Sequence, residues 1–244
     1  MPANKVAAII ANHNLSERAN ALSRAFSVID GIDVIVVDNG SRGFPPVNTT
    51  VKLRKNVRLT HAYLAGLAYA DGLAAVSGEK YYAYWFLTTS LQFKLMAGVQ
   101  GMVEKLSGDC VYVSPRYEGA TRWPHTALAK AGVTRHLGGA GMYLAEWFDA
   151  NSRFDPRLTY NWGTDYDTSL KAIAQGKHGL VADDVVMEVS ENHGYKAGVH
   201  GMSVDEYHRE ARAEMDAVLS EKWPREWPLL REATSYDAVL ALRN

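Results

Sequence analysis

Val6-Ala7-Ala8-Ile9-Ile10-Ala11-Asn12-His13-Asn14 and Val34-Ile35-Val36-Val37-Asp38-Asn39-Gly40-Ser41 decide how the chain folds. Each is a continuous apolar run, too short for a helix, that stops at polar side chains, the pattern of a strand buried on both faces. Between them, Asn14-Leu15-Ser16-Glu17 reads as a helix start in which Asn14 caps and Glu17 reaches back, with Leu15, Ala19, Leu22 and Phe26 following at helical spacing. Gly31 stops that helix, Asp33 to Val37 forms the second strand, and Asn39-Gly40 is a turn pair suited to positive φ.

The alternation continues. Ala62, Leu64, Ala65, Ala68 and Tyr69 predict a helix, and Tyr82 to Leu87 a third strand. Phe93, Met96, Val99, Met102, Val103 and Leu106 share helical spacing ahead of a strand at Cys110 to Ser114. After Pro115 the periodicity loosens, and the stretch to Arg135 reads as a long loop. Gly141 to Leu144 suggests a short strand, Asp165 to Gln175 a helix ended by Gly176, Val185 to Val189 a last strand, and Ser203 to Lys222 a charged helix with Tyr207, Ala211, Met215 and Val218 or Leu219 on one face. This order predicts an α/β fold with a mainly parallel, mixed central sheet and flanking helices over residues 1–200, and a C-terminal helical extension, 201–244, packed on the same domain. Ligands of such sheets gather beyond the carboxyl ends of the strands, where Asn12, Asp38 and Thr88 fall.

The 244 residues are 47% hydrophobic and 22% charged, enough apolar material for a sizeable core. A net charge of -1, from 26 basic and 27 acidic residues, gives no overall field for nucleic acid or anionic lipid. The one cysteine, Cys110, sits in an apolar run and reads as a small hydrophobe. No charged-then-apolar leader precedes Val6 and no run approaches the roughly 20 apolar residues of a membrane span, so the expected location is cytoplasmic.

Several positions carry two readings. Asp38 is either an acceptor for a nucleobase or ribose or an Asx-turn residue satisfying its own backbone. Asn14 is explained by capping, whereas Asn12 and His13 have no structural duty. In Asn161-Trp162-Gly163-Thr164-Asp165-Tyr166-Asp167, Thr164 as cap and Asp167 three residues on form a capping pair, which leaves Asp165 unexplained and a candidate general base. Trp162 beside it is either core or a sugar platform. His193 and His200 match no compact metal spacing, and His193 alone suits a phosphate better. The Lys52, Arg54, Lys55, Arg58 cluster lacks interleaved aromatics and reads as a solvated edge strand. Glycine-rich phosphate loops, dinucleotide fingerprints and Gly-x-Ser-x-Gly are absent, which removes the main support for triphosphatase, dehydrogenase and serine-hydrolase readings.

The order of these pieces resembles the family 2 glycosyltransferases, with their GT-A, Rossmann-like nucleotide-sugar domain. Val6 to Asn14 looks like the family's first strand, Ile35-Val36-Val37-Asp38-Asn39-Gly40-Ser41 its second, and Asn56 to Leu67, with Asn56 and Gly66, its third segment. Phe154-Asp155-Pro156-Arg157 and Trp162 to Asp167 look like its Phe-Asp-Glu and Trp-x-Glu-Asp-x-Asp segments, and the likeness runs from Val6 to Gly194. The resemblance implies an inverting transfer from a nucleoside-diphosphate sugar to an acceptor hydroxyl, with Asp165 as general base. It places Asn12, His13, Asp38, Asn39, Arg58, His61, Thr88, Thr89 and Ser90 at the nucleotide, Trp162, Asp167, Arg116 and Trp123 at the sugar or acceptor, and His193 and Lys196 at the diphosphate. Three positions depart from the family. Its metal-holding Asp-x-Asp corresponds here to Thr88-Thr89-Ser90, Thr164 replaces a glutamate, and Arg58 stands where glycine is common. Hydroxyls are poor sole ligands for a hard dication. The expectation is therefore a metal-independent enzyme requiring no cofactor, against two alternatives. In one, Mn2+ or Mg2+ is held by Asp165, Asp167 and His193; in the other, catalysis is lost and a sugar-nucleotide or glycan-binding module remains. The acceptor class stays open between glycan, small molecule and modified nucleic acid. The tail with Trp223-Pro224 and Trp227-Pro228 suits either closure over the site or a homo-oligomer contact.

Overall fold

The computed structural model describes residues 4–95, 99–118, 137–189, 201–232 and 242. Its one sheet runs in the order β3 (Thr49–Leu53), β2 (Ile32–Asn39), β1 (Val6–Asn12), β4 (Ala83–Thr88), β7 (Met142–Leu144), β6 (Cys110–Glu118), β8 (His178–Val189), β5 (Leu91–Leu95). The pairs among β3, β2, β1 and β4 are parallel, as is β6 with β8, while β7 and β5 pair antiparallel with their neighbours. The mixed, mainly parallel sheet expected from the sequence is present.

Every residue of β1 is buried because both of its faces are covered. Val6, Ala8 and Ile10 point into a core with Ala19 and Phe26 of α1 (Ser16–Phe26) and with Trp85; Ala7, Ile9 and Ala11 point into a second core with Tyr63 and Leu67 of α2 (Leu59–Ser77). Gly66 lets α2 lie directly on the sheet, since a Cβ there would collide with the side chains of Ile9 and Val37. The remaining helices are α3 (Val99–Lys105), α4 (Leu137–Ala140), α5 (Ala145–Ala150), α6 (Thr164–Ala174), α7 (Val204–Lys222) and α8 (Glu226–Glu232). A third core, made of Leu158, Leu170, Ile173, Val218, Leu219, Trp227 and Leu230, packs α7 and α8 onto α6. No helix among the described residues is long and apolar enough to cross a membrane.

Four local expectations are corrected. Asn14 does not cap α1: it has φ +57°, and the amide of Leu15 is taken by Asn12 Oδ1 at 3.2 Å. Phe93 lies in β5, not in a helix, because its ring packs edge-on against Phe26 and Trp85 across the sheet. The helix expected there is confined to α3, which keeps Val99, Met102 and Val103 buried. β6 continues through Pro115 to Glu118, the proline being absorbed by a register shift between Pro115 and Arg116, and β8 starts at His178, well before Val185. The charged C-terminal helix begins as expected, with the Glu206 amide donating to Ser203 Oγ at 3.1 Å.

Only Thr89 and Ser90 separate β4 from β5, although β7, β6 and β8 lie between those strands in the sheet. So short a link spans about 11 Å at most, so the sheet curls until β5 comes back to the end of β4. The turn after β4 lies beside the end of β1, with which β4 is in register through Ala11 and Thr88, and β2 ends on the other side of β1.

Candidate functional site

Asn12 and Asp38 end neighbouring strands and are paired in register. Asp38, 1% exposed, accepts the Ser41 hydroxyl on Oδ1 at 2.5 Å and the Asn12 amide at 3.3 Å. Asn12 also donates to Ser41 Oγ. The carboxylate therefore satisfies a side-chain turn through one oxygen, and no described residue hydrogen-bonds Oδ2. His13 Nδ1 donates to the Asn39 carbonyl at 2.8 Å, and its Nε2 accepts from Asn14 Nδ2 at 3.0 Å. Burial pushes the His13 pKa below 6.5 against the pull of that carbonyl, which favours the neutral ring. Asn12 and His13, which the sequence leaves without a structural duty, are thus the clasps between the loop after β1 and the end of β2.

Asn39 fills all its amide positions in holding the turn before α2: Nδ2 donates to Asn56 Oδ1 and to the Arg58 carbonyl, and Oδ1 accepts from the Val57 amide at 2.9 Å. Arg58, with φ +68°, turns its guanidinium toward α7. The group stacks on Tyr160 at 3.7 Å, donates to Thr159 Oγ1 at 2.8 Å and faces Glu214 and Glu210 at 3.7 and 3.9 Å. His61 lies half-buried in the first turn of α2. Thr88 and Ser90 share a hydroxyl contact at 3.1 Å.

A chain of hydrogen bonds leads from this end of the sheet to α6. Thr60, buried in the first turn of α2, donates its hydroxyl to the Leu158 carbonyl at 2.5 Å and to Asn161 Oδ1 at 3.3 Å. Thr164 Oγ1 reaches the same Asn161 amide oxygen at 3.2 Å and the Asn161 carbonyl at 3.0 Å. Asn161 and Gly163 adopt positive φ, 67° and 85°, and so reverse the chain into the helix. Asp165 follows in the first turn of α6, 8% exposed, with Oδ1 accepting the Tyr166 amide at 2.9 Å.

The capping pair expected at Thr164 and Asp167 is not formed. Thr164 is the first helical residue, the residue before it is Gly163, and Asp167 turns inward to a buried cluster. Its oxygens meet Lys222 Nζ at 2.8 Å, Lys171 Nζ at 2.9 Å and the Trp223 indole nitrogen at 2.9 Å. Asp155 joins the cluster through Lys222 and Arg157. Burial acts to raise its pKa, but the Arg157 hydrogen bonds and the Lys222 charge outweigh it and hold the carboxyl down at about 2. Burial likewise lowers the Lys171 ammonium, which Asp167 opposes. The sequence pattern does not single out Lys222, Glu210 and Glu214, and it names Trp223 only as part of the tail, not as a partner of Asp167. Glu210 and Glu214 stand four apart beside the apolar face of α7, the one local signal available, but their partners Thr159, Tyr160 and Arg58 lie far back along the chain.

Trp162 is half-buried against α7, and Arg116 is exposed on β6, 3.9 Å from Asp183. Trp123, His193 and Lys196 lie outside the described residues.

No family profile matches the chain, and no curated protein matches it. Among solved structures it superposes on GalNAc-T7, crystallised with UDP, GalNAc and Mn2+, with a TM-score of 0.56 and 12% identity, covering 98% of this chain and 54% of that one. The chain has the GT-A glycosyltransferase fold. It spans about half the length of that GT-A protein. A second GT-A structure, TarS of S. aureus, gives a TM-score of 0.49 and 11% identity over 77% of this chain and 35% of that one.

At the turn after β4, where the resemblance expects a metal-holding Asp-x-Asp, the described residues offer no carboxylate. The turn after β4 offers the hydroxyls of Thr88, Thr89 and Ser90, and among the described residues no three His, Cys, Asp or Glu side chains stand close enough to hold a metal. Asp167, named in the alternative ligand set, has both oxygens engaged by ammonium groups.

Proposed function

We propose that the protein transfers a sugar from a nucleoside-diphosphate sugar to an acceptor hydroxyl with inversion, and that Asp165 is the general base. The observation that supports this reading is the position of Asp165: a nearly buried carboxylate in the first turn of α6, tied through Asn161, Thr60 and Asn39 to the ends of the GT-A sheet. The free Oδ2 of Asp38 suits a ribose or base donor group, and His13 and the hydroxyls of Thr88 and Ser90 line the same end. In the step, Asp165 takes the acceptor hydroxyl proton as that oxygen bonds to the anomeric carbon. The bond from this carbon to the diphosphate oxygen breaks, and its electron pair leaves on the diphosphate.

The leaving charge needs neutralising. Arg58 is engaged by Glu210 and Glu214, so we assign that role to His193 and Lys196, the basic side chains that the sequence places after the last strand. Metal independence is part of the proposal and rests on the hydroxyl set at Thr88 to Ser90.

Release of nucleoside diphosphate from a panel of sugar nucleotides tests the reading. Asp165→Asn is expected to lower turnover by about 10²- to 10⁴-fold while nucleoside-diphosphate affinity is kept. Unchanged turnover would remove Asp165 from the chemistry, and a wild-type protein that binds donor but never releases diphosphate would be a binding module. Turnover is expected to survive a chelator; loss reversed by Mn2+ would overturn metal independence.

A further inference from the structure

Helix α7 lies across the turn that carries Asp165, and one stripe of it makes the contact. His208, Arg212, Met215 and Leu219 recur at the spacing of a single helical face. Met215 and Leu219 close on Gly163, where a Cβ would come within 2.7 Å of Met215 Cγ and 3.1 Å of Leu219 Cδ1. Toward its N-terminus the same stripe meets Trp162. The His208 ring centre stands 5.3 Å from the indole at a tilt of 40°, and the Arg212 guanidinium stands 5.9 Å from the indole centroid. Trp162 keeps part of its surface exposed and precedes Asp165 by three residues, in the segment that leads into α6.

Helix α7 is acidic near Arg212; one of these acids, Asp216, one turn on, keeps a buried Oδ1 with no hydrogen-bond partner among the described residues, while the others are occupied. Glu210 and Glu214 bind Tyr160, Thr159 and Arg58, and Glu206 faces Arg209 at 3.9 Å. Arg212 is exposed and makes no ion pair with a described residue. A purely structural role would be packing of the guanidinium on Trp162. At 5.9 Å that contact is at the outer limit of cation–π attraction and adds little. Docking of α7 is already secured by Glu214, Lys222 and Trp223. What remains is an exposed planar fork of donors beside a partly exposed aromatic ring, next to the proposed base. Such a fork matches carboxylate or phosphate, and the indole matches the apolar face of a sugar ring.

We propose that the acceptor is an anionic glycan, its sugar ring against Trp162 and its carboxylate or phosphate held by Arg212 with His208 at the edge. The proposal rests on the assignment of Asp165 as base for its place in the reaction, and it is tested by binding alone. Full-length protein is titrated calorimetrically with methyl β-D-glucuronide, glucose 6-phosphate and methyl β-D-glucoside. At least one anionic probe is expected to bind about tenfold tighter than the neutral one, and which of the two leads tells carboxylate from phosphate. Arg212→Gln, a change at an exposed position, removes that preference, while Trp162→Phe keeps it and Trp162→Ala weakens all binding. Asp165→Asn is read by turnover alone, so a failure of the catalytic assignment shows there and not in this titration of the wild type and the Arg212 and Trp162 variants. Equal affinity for the three probes, absence of binding by all of them, or a preference that survives Arg212→Gln would each overturn the proposal.

Discussion

At the ends of β1 and β2, Asn12, Asp38 and Ser41 hold one another by hydrogen bonds among neutral partners and one carboxylate, the longest reaching back 29 positions along the chain. At the start of α6, Thr159, Tyr160 and Asp167 are held by Glu214, Glu210, Lys222 and Trp223, whose contacts arrive from 50 to 56 positions later. The first wall needs only the sheet that carries it. The second is incomplete until α7 has docked, and its bonds are charged. The difference teaches that the two regions are separable in energy: the first is sensitive to lost hydrogen bonds, the second to charge.

Lys222→Met presses hardest on this distinction. It leaves Asp167 and Asp155 with fewer cations in a buried setting, and the expected cost is about 2–3 kcal/mol in denaturant unfolding, with nucleoside-diphosphate affinity unchanged. A cost below about 0.5 kcal/mol would mean that the apolar contacts of Val218, Leu219 and Trp227 alone hold the helix. Asn12→Ala presses on the other wall. It removes the bonds to Asp38, Ser41 and Leu15, with an expected cost of about 1–2 kcal/mol and weaker nucleoside-diphosphate binding, while Trp223 fluorescence stays as in the wild type. Acid gives the narrowest effect. The Asp155 pKa falls from 3.8 in the unfolded chain to about 2 in the folded one, so its contribution is present above about pH 4 and is lost as pH drops from there to 2. Comparing acid unfolding of the wild type with that of Asp155→Asn checks this, because the variant has no such contribution left to lose across that window.

The same contrast explains what the sequence discloses. β1, β2 and the Asn39-Gly40 turn are legible because their signals are local: apolar runs that end in polar groups, and a glycine at φ +67°. Asp38 at a strand end and Asp165 in the first turn of α6 lie where the local pattern puts them. Asp167 is misread because the Thr-x-x-Asp spacing of a cap also fits a carboxylate aimed inward, and only Lys222 and Trp223, some 55 positions away, decide between them. Phe93 is misread for a similar reason. Its spacing to Val99 and Met102 suits a helix, but the rings of Phe26 and Trp85 claim it for a strand. Arg58, which the resemblance puts at the nucleotide, faces Glu210 and Glu214, a pairing that no local pattern announces because the two acids lie about 150 positions later.

The two-residue link from β4 to β5 bears on how the chain is made. β5 leaves the ribosome just behind β4, but its hydrogen-bonding partner, the end of β8, follows roughly ninety residues later. At about 5–20 residues per second that is an interval of some 5 to 20 s in which Leu91 to Leu95 carry an open strand edge on a nascent chain. Closure of the curl is therefore a late, long-range event, and until β8 arrives the open edge of β5 is a place where nascent chains can pair with one another.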